Sequence, residues 1–275
     1  MKKVNINKSG GFIETLTAKW WFLALVPIIF FFSPPYVQRN GYPLSDFSKW
    51  YATIGEIGSK NFTSYFAKYS IIMNLIAIAV IILAFVLKNK FSSLFSIYIA
   101  IMMAFYGITQ NTSYTEENGL GIVTSSYIVL PLLSGVWIWE AFVRKNDFSK
   151  PKKLNIWTIG AFLLALFAFW NPIDSATLMP DFNPAYLLTN GSNSMFCTMT
   201  PMIIAVMFFI YPNINTAVLR VTGITGATIG FIQILLHLVL MGKTNWWIGV
   251  IHIPVFLLSI IAVIVSFKAD KIKNK

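Results

Sequence analysis

The chain has 275 residues, 56% of them hydrophobic and 11% charged, with a mean hydropathy of +0.68. A soluble domain carries about a quarter charged residues, so these values exclude a soluble globular protein and point to an all-α, polytopic membrane bundle. The formal charge of +11 raises nucleic acid as a partner, but the distribution of that charge assigns it to membrane orientation instead.

The basic start, MKKVNINKSGGF, leads into an apolar run that ends in FFFSPPY. No small-residue cleavage site follows, so the run reads as a retained helix and not as a signal peptide. Apolar runs then predict eight membrane helices, near 18–34, 66–88, 92–110, 120–143, 154–171, 195–211, 216–241 and 245–267. Each approaches the length needed to cross a ~30 Å hydrocarbon layer. With both termini cytoplasmic, the inner segments are 1–17, 89–91, 144–153, 212–215 and 268–275. Arg39, Lys49, Lys60, Lys68 and Lys243 then lie outside with Asp46, Glu56, Glu116, Glu117, Asp174 and Asp181, leaving sixteen basic and four acidic groups inside. That asymmetry is the positive-inside pattern. It predicts a multi-pass protein of the cell membrane, with the lipid bilayer and its anionic headgroups as the partner of the basic charge.

The first long outer loop, 35–65, contains SDFSKWYATIGEIG. Phe47, Trp50, Tyr51, Ile54 and Ile57 recur at helical spacing, and Ser45 or Asp46 can cap the start. An amphipathic helix at 45–58 is expected, lying on the outer surface or folding over the bundle as a lid. The second long outer loop, 171–195, is broken by Pro172, Pro180 and Pro184. Long outer loops favour a ligand or protein partner arriving from that side. Asn61, Asn111 and Asn190 each begin an acceptor triplet there. Trp20 with Trp21, Trp137 with Trp139 and Trp246 with Trp247 are placed as interfacial anchors. Neither an internal repeat nor a disulfide is expected, since Cys197 is the only cysteine.

Small and polar residues mark the protein-facing side of a membrane helix. In the run VTGITGATIGFIQILLHL, Gly223, Gly226, Gly230, Gln233 and His237 form one stripe at alternating spacings of three and four. The last helix carries a weaker stripe through Gly249, His252, Ser259 and Ser266, with Pro254 beside the histidine. In an antiparallel hairpin the two histidines differ in depth by only about 3 Å at the ~1.5 Å rise of a helix. They are the only histidines of the chain.

Several readings follow for this pair. Each imidazole can hydrogen-bond a neighbouring helix, with Gln233 one turn from His237 as a partner. Alternatively His237, His252 and Gln233, joined by Tyr106 and Tyr127, form a polar substrate-binding site in the outer half of the bundle. A metal is disfavoured because two histidines fall short of a usual zinc set, and haem needs a wider gap than packed helices leave. No cofactor is therefore expected. Near the inner side, Glu140 and Arg220 either snorkel to the interface or pair as a gate. A transporter or permease for a small molecule or ion fits these features best. The alternatives are an intramembrane enzyme pairing a histidine with Thr198, Thr200 or Cys197, although no catalytic signature is present, and a membrane subunit that binds a partner through its outer loops.

Overall fold

A computed structural model describes residues 11–41, 45–149, 151, 155–240 and 242–273. The basic stretch 1–10, Lys150, Lys152 and Lys153, and the tail 274–275 lie outside the described residues, as does the side chain of Lys243. The described residues are mainly helical. A short helix α1 (Phe12–Thr17) leads into α2 (Trp20–Phe32), and a strand β1 (Tyr36–Val37) precedes α3 (Phe47–Ser59). A 3-10 segment, Phe62–Tyr69, runs into α4 (Ser70–Leu87), followed by α5 (Ser92–Phe105), which continues as a π turn to Gln110. The hairpin β2 (Thr112–Thr115) and β3 (Gly119–Ile122) leads to α6 (Thr124–Val143) and α7 (Ile156–Trp170). Then come α8 (Tyr186–Thr189), α9 (Phe196–Phe209), α10 (Thr216–Ile234) with a π turn over Leu235–Leu240, and α11 (Gly242–Lys273), which breaks at Asn245.

Among the described residues, five helices are long and apolar enough to cross a membrane, or six if the bent segment Tyr186–Ser194 plus Phe196–Phe209 counts as one span. The eight-helix expectation differs at α2, α7 and α9, which have 13, 15 and 14 residues. At ~1.5 Å per residue these reach only about 20–23 Å. Their ends have local causes. Pro34 and Pro35 follow α2 closely, and Asn171 closes α7 in the left-handed conformation with Pro172 behind it. α9 is enclosed by protein: 13 of its residues are buried, so its ends need not reach lipid.

Helix ends gather at two poles. At one, β3 pairs with both β1 and β2, in register Tyr36↔Ile122 and Thr112↔Ile122. This sheet ties the ends of α2, α5 and α6 together. Asp46 caps α3 by accepting from the Lys49 N–H at 3.1 Å. The helix buries Trp50 and Ile57 against the sheet, so these two residues of its apolar face meet protein. Gly121 makes the approach possible, because a Cβ there would lie 2.9 Å from Ile57.

At the other pole Glu14 pairs with Lys145 at 2.7 Å, and Asn89 donates to Asp147 at 2.7 Å. The Asp147 N–H reaches the Asn213 carbonyl at 2.9 Å. The segments assigned to one side thus meet one another. We refer below to the sheet end and the basic end. Trp137 is a correction to the aromatic belts: it is fully buried, with Nε1–H donating to Thr222 at 3.1 Å. Trp247 is also buried and donates to the Pro172 carbonyl at 2.7 Å.

Candidate functional site

The glycine stripe of α10 faces α11. A Cβ on Gly230 would lie 2.9–3.0 Å from the Phe256 backbone, and one on Gly223 would lie 2.9 Å from the Ser259 carbonyl. Small residues here let the two backbones touch, which is how helices associate where lipid already satisfies apolar side chains. The stripe leads to His237, inside the π turn, where Leu238 sits over Gly249 of α11.

Both imidazoles are half-buried. His252 Nδ1–H donates to the Ile248 carbonyl at 2.6 Å. A carbonyl only accepts, so Nε2 of His252 is left as the acceptor. Nδ1 of His237 is buried and has no partner among the described residues. Gln233, half-buried on the same hairpin, does not satisfy it.

The other two residues grouped with them from sequence are elsewhere. Tyr127 is 38% exposed. The buried arc of α6 runs through Ser126, Leu130, Leu133 and Trp137, and Tyr127 lies just beyond its edge. Tyr106 is fully buried in a separate network, donating to the Asn193 carbonyl at 3.1 Å.

That network surrounds the sequence NGSNS, residues 190–194, where the chain turns by 98° between α8 and α9. Sequence reading passes over it as loop, yet Ser192, Asn193 and Ser194 are all buried. Asn74 of α4 holds the turn with its whole side-chain amide. Nδ2 donates to the Leu188 and Asn190 carbonyls, and Oδ1 accepts from the Asn193 N–H, each at 3.1 Å. Asn193 Nδ2 donates to the Met73 carbonyl at 2.7 Å, and its Oδ1 accepts from Tyr98 at 3.0 Å. Gln110 accepts from the Phe196 N–H at 3.1 Å. The Asn190 side chain bonds the Trp170 carbonyl, and the Thr198 hydroxyl sits between the Ser192 and Met195 carbonyls. Irregular backbone at membrane depth is tolerated where protein satisfies its polar groups. Four elements, α4, α5 with its π turn, α7 and α9, supply those partners.

A small pocket of about 260 Å³ with a mixed polar and apolar lining opens against this turn, lined by Asn61, Thr63 and Ser64 on one side and Gly191, Ser194 and Met195 on the other. Asn61 accepts from the Thr63 N–H at 3.0 Å and donates to the Gly58 carbonyl at 2.7 Å. The amides of Asn61, Asn111 and Asn190 are therefore all engaged within the protein.

At the basic end Glu140 and Arg220 are buried, which overturns snorkelling, and they share no ion pair among the described residues. Glu140 accepts from the Asn146 N–H at 2.7 Å and from Asn215 Nδ2 at 2.5 Å. Arg220 pairs with Asp270, donates to Ser266 at 3.2 Å and Thr17 at 3.3 Å, and lies 4.2 Å from the Phe267 ring centroid. Two separate locks therefore stand in place of either snorkelling side chains or a single gate pair. The Glu140 lock joins α6 to the start of α10, and the Arg220 lock joins α10, α11 and α1.

Among the described residues no group of three or more His, Cys, Asp or Glu is placed to hold a metal ion. Cys197 is buried, the Thr198 hydroxyl is used by backbone carbonyls, and Thr200 Oγ1 has no partner among the described residues. The base–nucleophile hydrogen bond expected of a hydrolytic site is thus not formed by these threonines. The chain matches no known protein family, no curated protein and no solved structure.

Proposed function

We propose that the chain is a multi-pass transporter or permease of the cell membrane, with eight membrane-embedded helices and the basic end in the cytoplasm. It takes a small polar solute or ion from the sheet end. The observation that carries this reading is the buried 98° turn at Tyr186–Phe209 beneath a small pocket to which Asn61, Thr63, Ser64 and Ser194 contribute. Discontinuous helices at membrane depth commonly build solute sites in transporters, because their ends offer backbone groups to a ligand. The locks at Glu140 and Arg220 support a closed basic end. His237 and His252, with Gln233, supply a second polar place beside a π turn, a kind of irregularity frequent at functional sites.

The test uses the full chain in proteoliposomes. A panel of amino acids, sugars, nucleobases and mono- and divalent cations is screened for thermal stabilisation, and stabilising compounds are tested for uptake. A ligand at 100 times its Kd adds about 2.7 kcal/mol. We expect uptake to fall at least about tenfold in Ser194→Ala with Thr63→Val, and in His237→Gln with His252→Gln, as the loss of one charge-assisted or two neutral hydrogen bonds implies. Uptake unchanged in both double variants refutes the proposed sites, and no stabilising compound with no flux refutes transport.

A further inference from the structure

A lateral groove of about 900 Å³ runs along the bundle where α4 and α7 stand apart. Ile78, Ile82 and Val86 form one wall, on a single face of α4, and Phe162 and Leu166 of α7 form the other. Phe209 of α9 closes the floor, its ring 5.8 Å from Phe85 and 6.3 Å from Phe162. Pro184–Leu188 bounds the groove at the sheet end and Pro151 at the basic end. From Ile78 to Val86 the wall is about 12 Å long, comparable to one leaflet of a ~30 Å hydrocarbon core.

The lining is almost wholly apolar, so it suits a hydrocarbon chain and not a polar solute. In a bilayer, however, apolar lining alone gives no preference over bulk lipid. The discriminating feature is charge. Lys88 and Lys90 follow Val86 directly, both exposed and without an ion-pair partner among the described residues. Asp147, which Asn89 between these two lysines reaches, is also engaged by Ser149. Lysines also stand at 150, 152 and 153, around Pro151 in the sequence.

We propose that this groove retains one anionic phospholipid, its acyl chain between α4 and α7 and its phosphate at Lys88 and Lys90. The site is separate from the pocket at the 190–194 turn and does not depend on the transport reading.

Native mass spectrometry of the full chain in mild detergent tests this, with dioleoyl phosphatidylglycerol and dioleoyl phosphatidylcholine as probes. The wild type should retain the anionic lipid about thirtyfold better, the scale set by two surface lysines at about 1 kcal/mol each. Lys88→Gln with Lys90→Gln should bring that preference close to one. Ile82→Trp with Leu166→Trp should abolish retention, and the milder Leu166→Phe should lower it while keeping the wild-type melting profile. Equal retention of the two lipids by the wild type overturns the proposal. So does undiminished retention in both groove variants. Conversion of a dimer to a monomer by groove filling also overturns it, because the occupant would then be a second copy of the chain.

Discussion

Replacing Gly230 by Ala tests the contact on which the α10–α11 hairpin depends. The new methyl carbon would lie 2.9 Å from Phe256 N and 3.0 Å from its Cα. Both are backbone atoms in a helix, so no side-chain rotation relieves the overlap and the helices must separate. Overpacking of this kind costs about 1–3 kcal/mol, against a gain of up to about 1 kcal/mol from the better helix propensity of Ala. Gly160 of α7 and Gly135 of α6 provide controls, since a Cβ at either would meet nothing within 4 Å. With about 1–2 kcal/mol lost on balance, at roughly 2–4 °C per kcal/mol for a chain near this size, Gly230→Ala should melt about 2–8 °C below wild type. Gly160→Ala and Gly135→Ala should equal or exceed wild type. Gly226 separates backbone from side-chain obstruction, because its added Cβ would meet the Ser259 hydroxyl, which has no hydrogen-bond partner among the described residues. Ser259→Ala should therefore recover part of the loss in Gly226→Ala, read as a coupling in a double-mutant cycle. Melting is followed by size-exclusion of detergent-solubilised protein after heating. If Gly230→Ala proves as stable as Gly160→Ala, the close approach of α10 and α11 is wrong.

Asn74→Ala removes three hydrogen bonds from the turn at 188–193. At about 1 kcal/mol each it should cost about 3 kcal/mol and open Tyr186–Ser194 to limited proteolysis, whereas Tyr98→Phe, which removes one bond, should cost about a third as much. Arg220→Met strands Asp270, and breaking a buried pair costs about 3–5 kcal/mol. Because the Asp270 side chain is 33% exposed, the lower end is expected in thermal melts, and Asp270→Asn should cost at least as much, since it leaves the fully buried Arg220 guanidinium without its counter-charge. Asp46 should give α3 a dependence on acid. Hydrogen bonds from Ser48 and the Lys49 N–H hold its carboxyl below the ordinary value of 3.8. A depressed folded pKa stabilises above the unfolded value and is lost as pH falls through the folded one. Amide exchange at Lys49–Tyr51 should quicken below about pH 4, and Asp46→Asn, which keeps the cap, should remove the step.

The local features of single helices were legible in the sequence. The glycines of α10 repeat at spacings of three and four because one face must admit another backbone, and that face does meet α11. Asp46 and the apolar spacing of Phe47–Ser59 mark α3 from neighbouring residues alone. The two-residue β1 carries no period to read, and it becomes a strand only through β3, more than eighty residues away.

Sequence alone determined the apolar runs, the stripe on α10 and the division of charge between loops, since each depends on residues close along the chain. Tertiary structure alone decided which stripes meet. Helix rotation turned Tyr127 out of the bundle and carried Tyr106 to Asn193. It also gave Arg220 to Asp270 on the adjacent helix and Glu140 to Asn215. Asn74 satisfies a turn more than a hundred residues downstream, and no periodicity within α4 encodes that. A helical repeat specifies a face but not its neighbour; the neighbour is set by the packing of all the helices together.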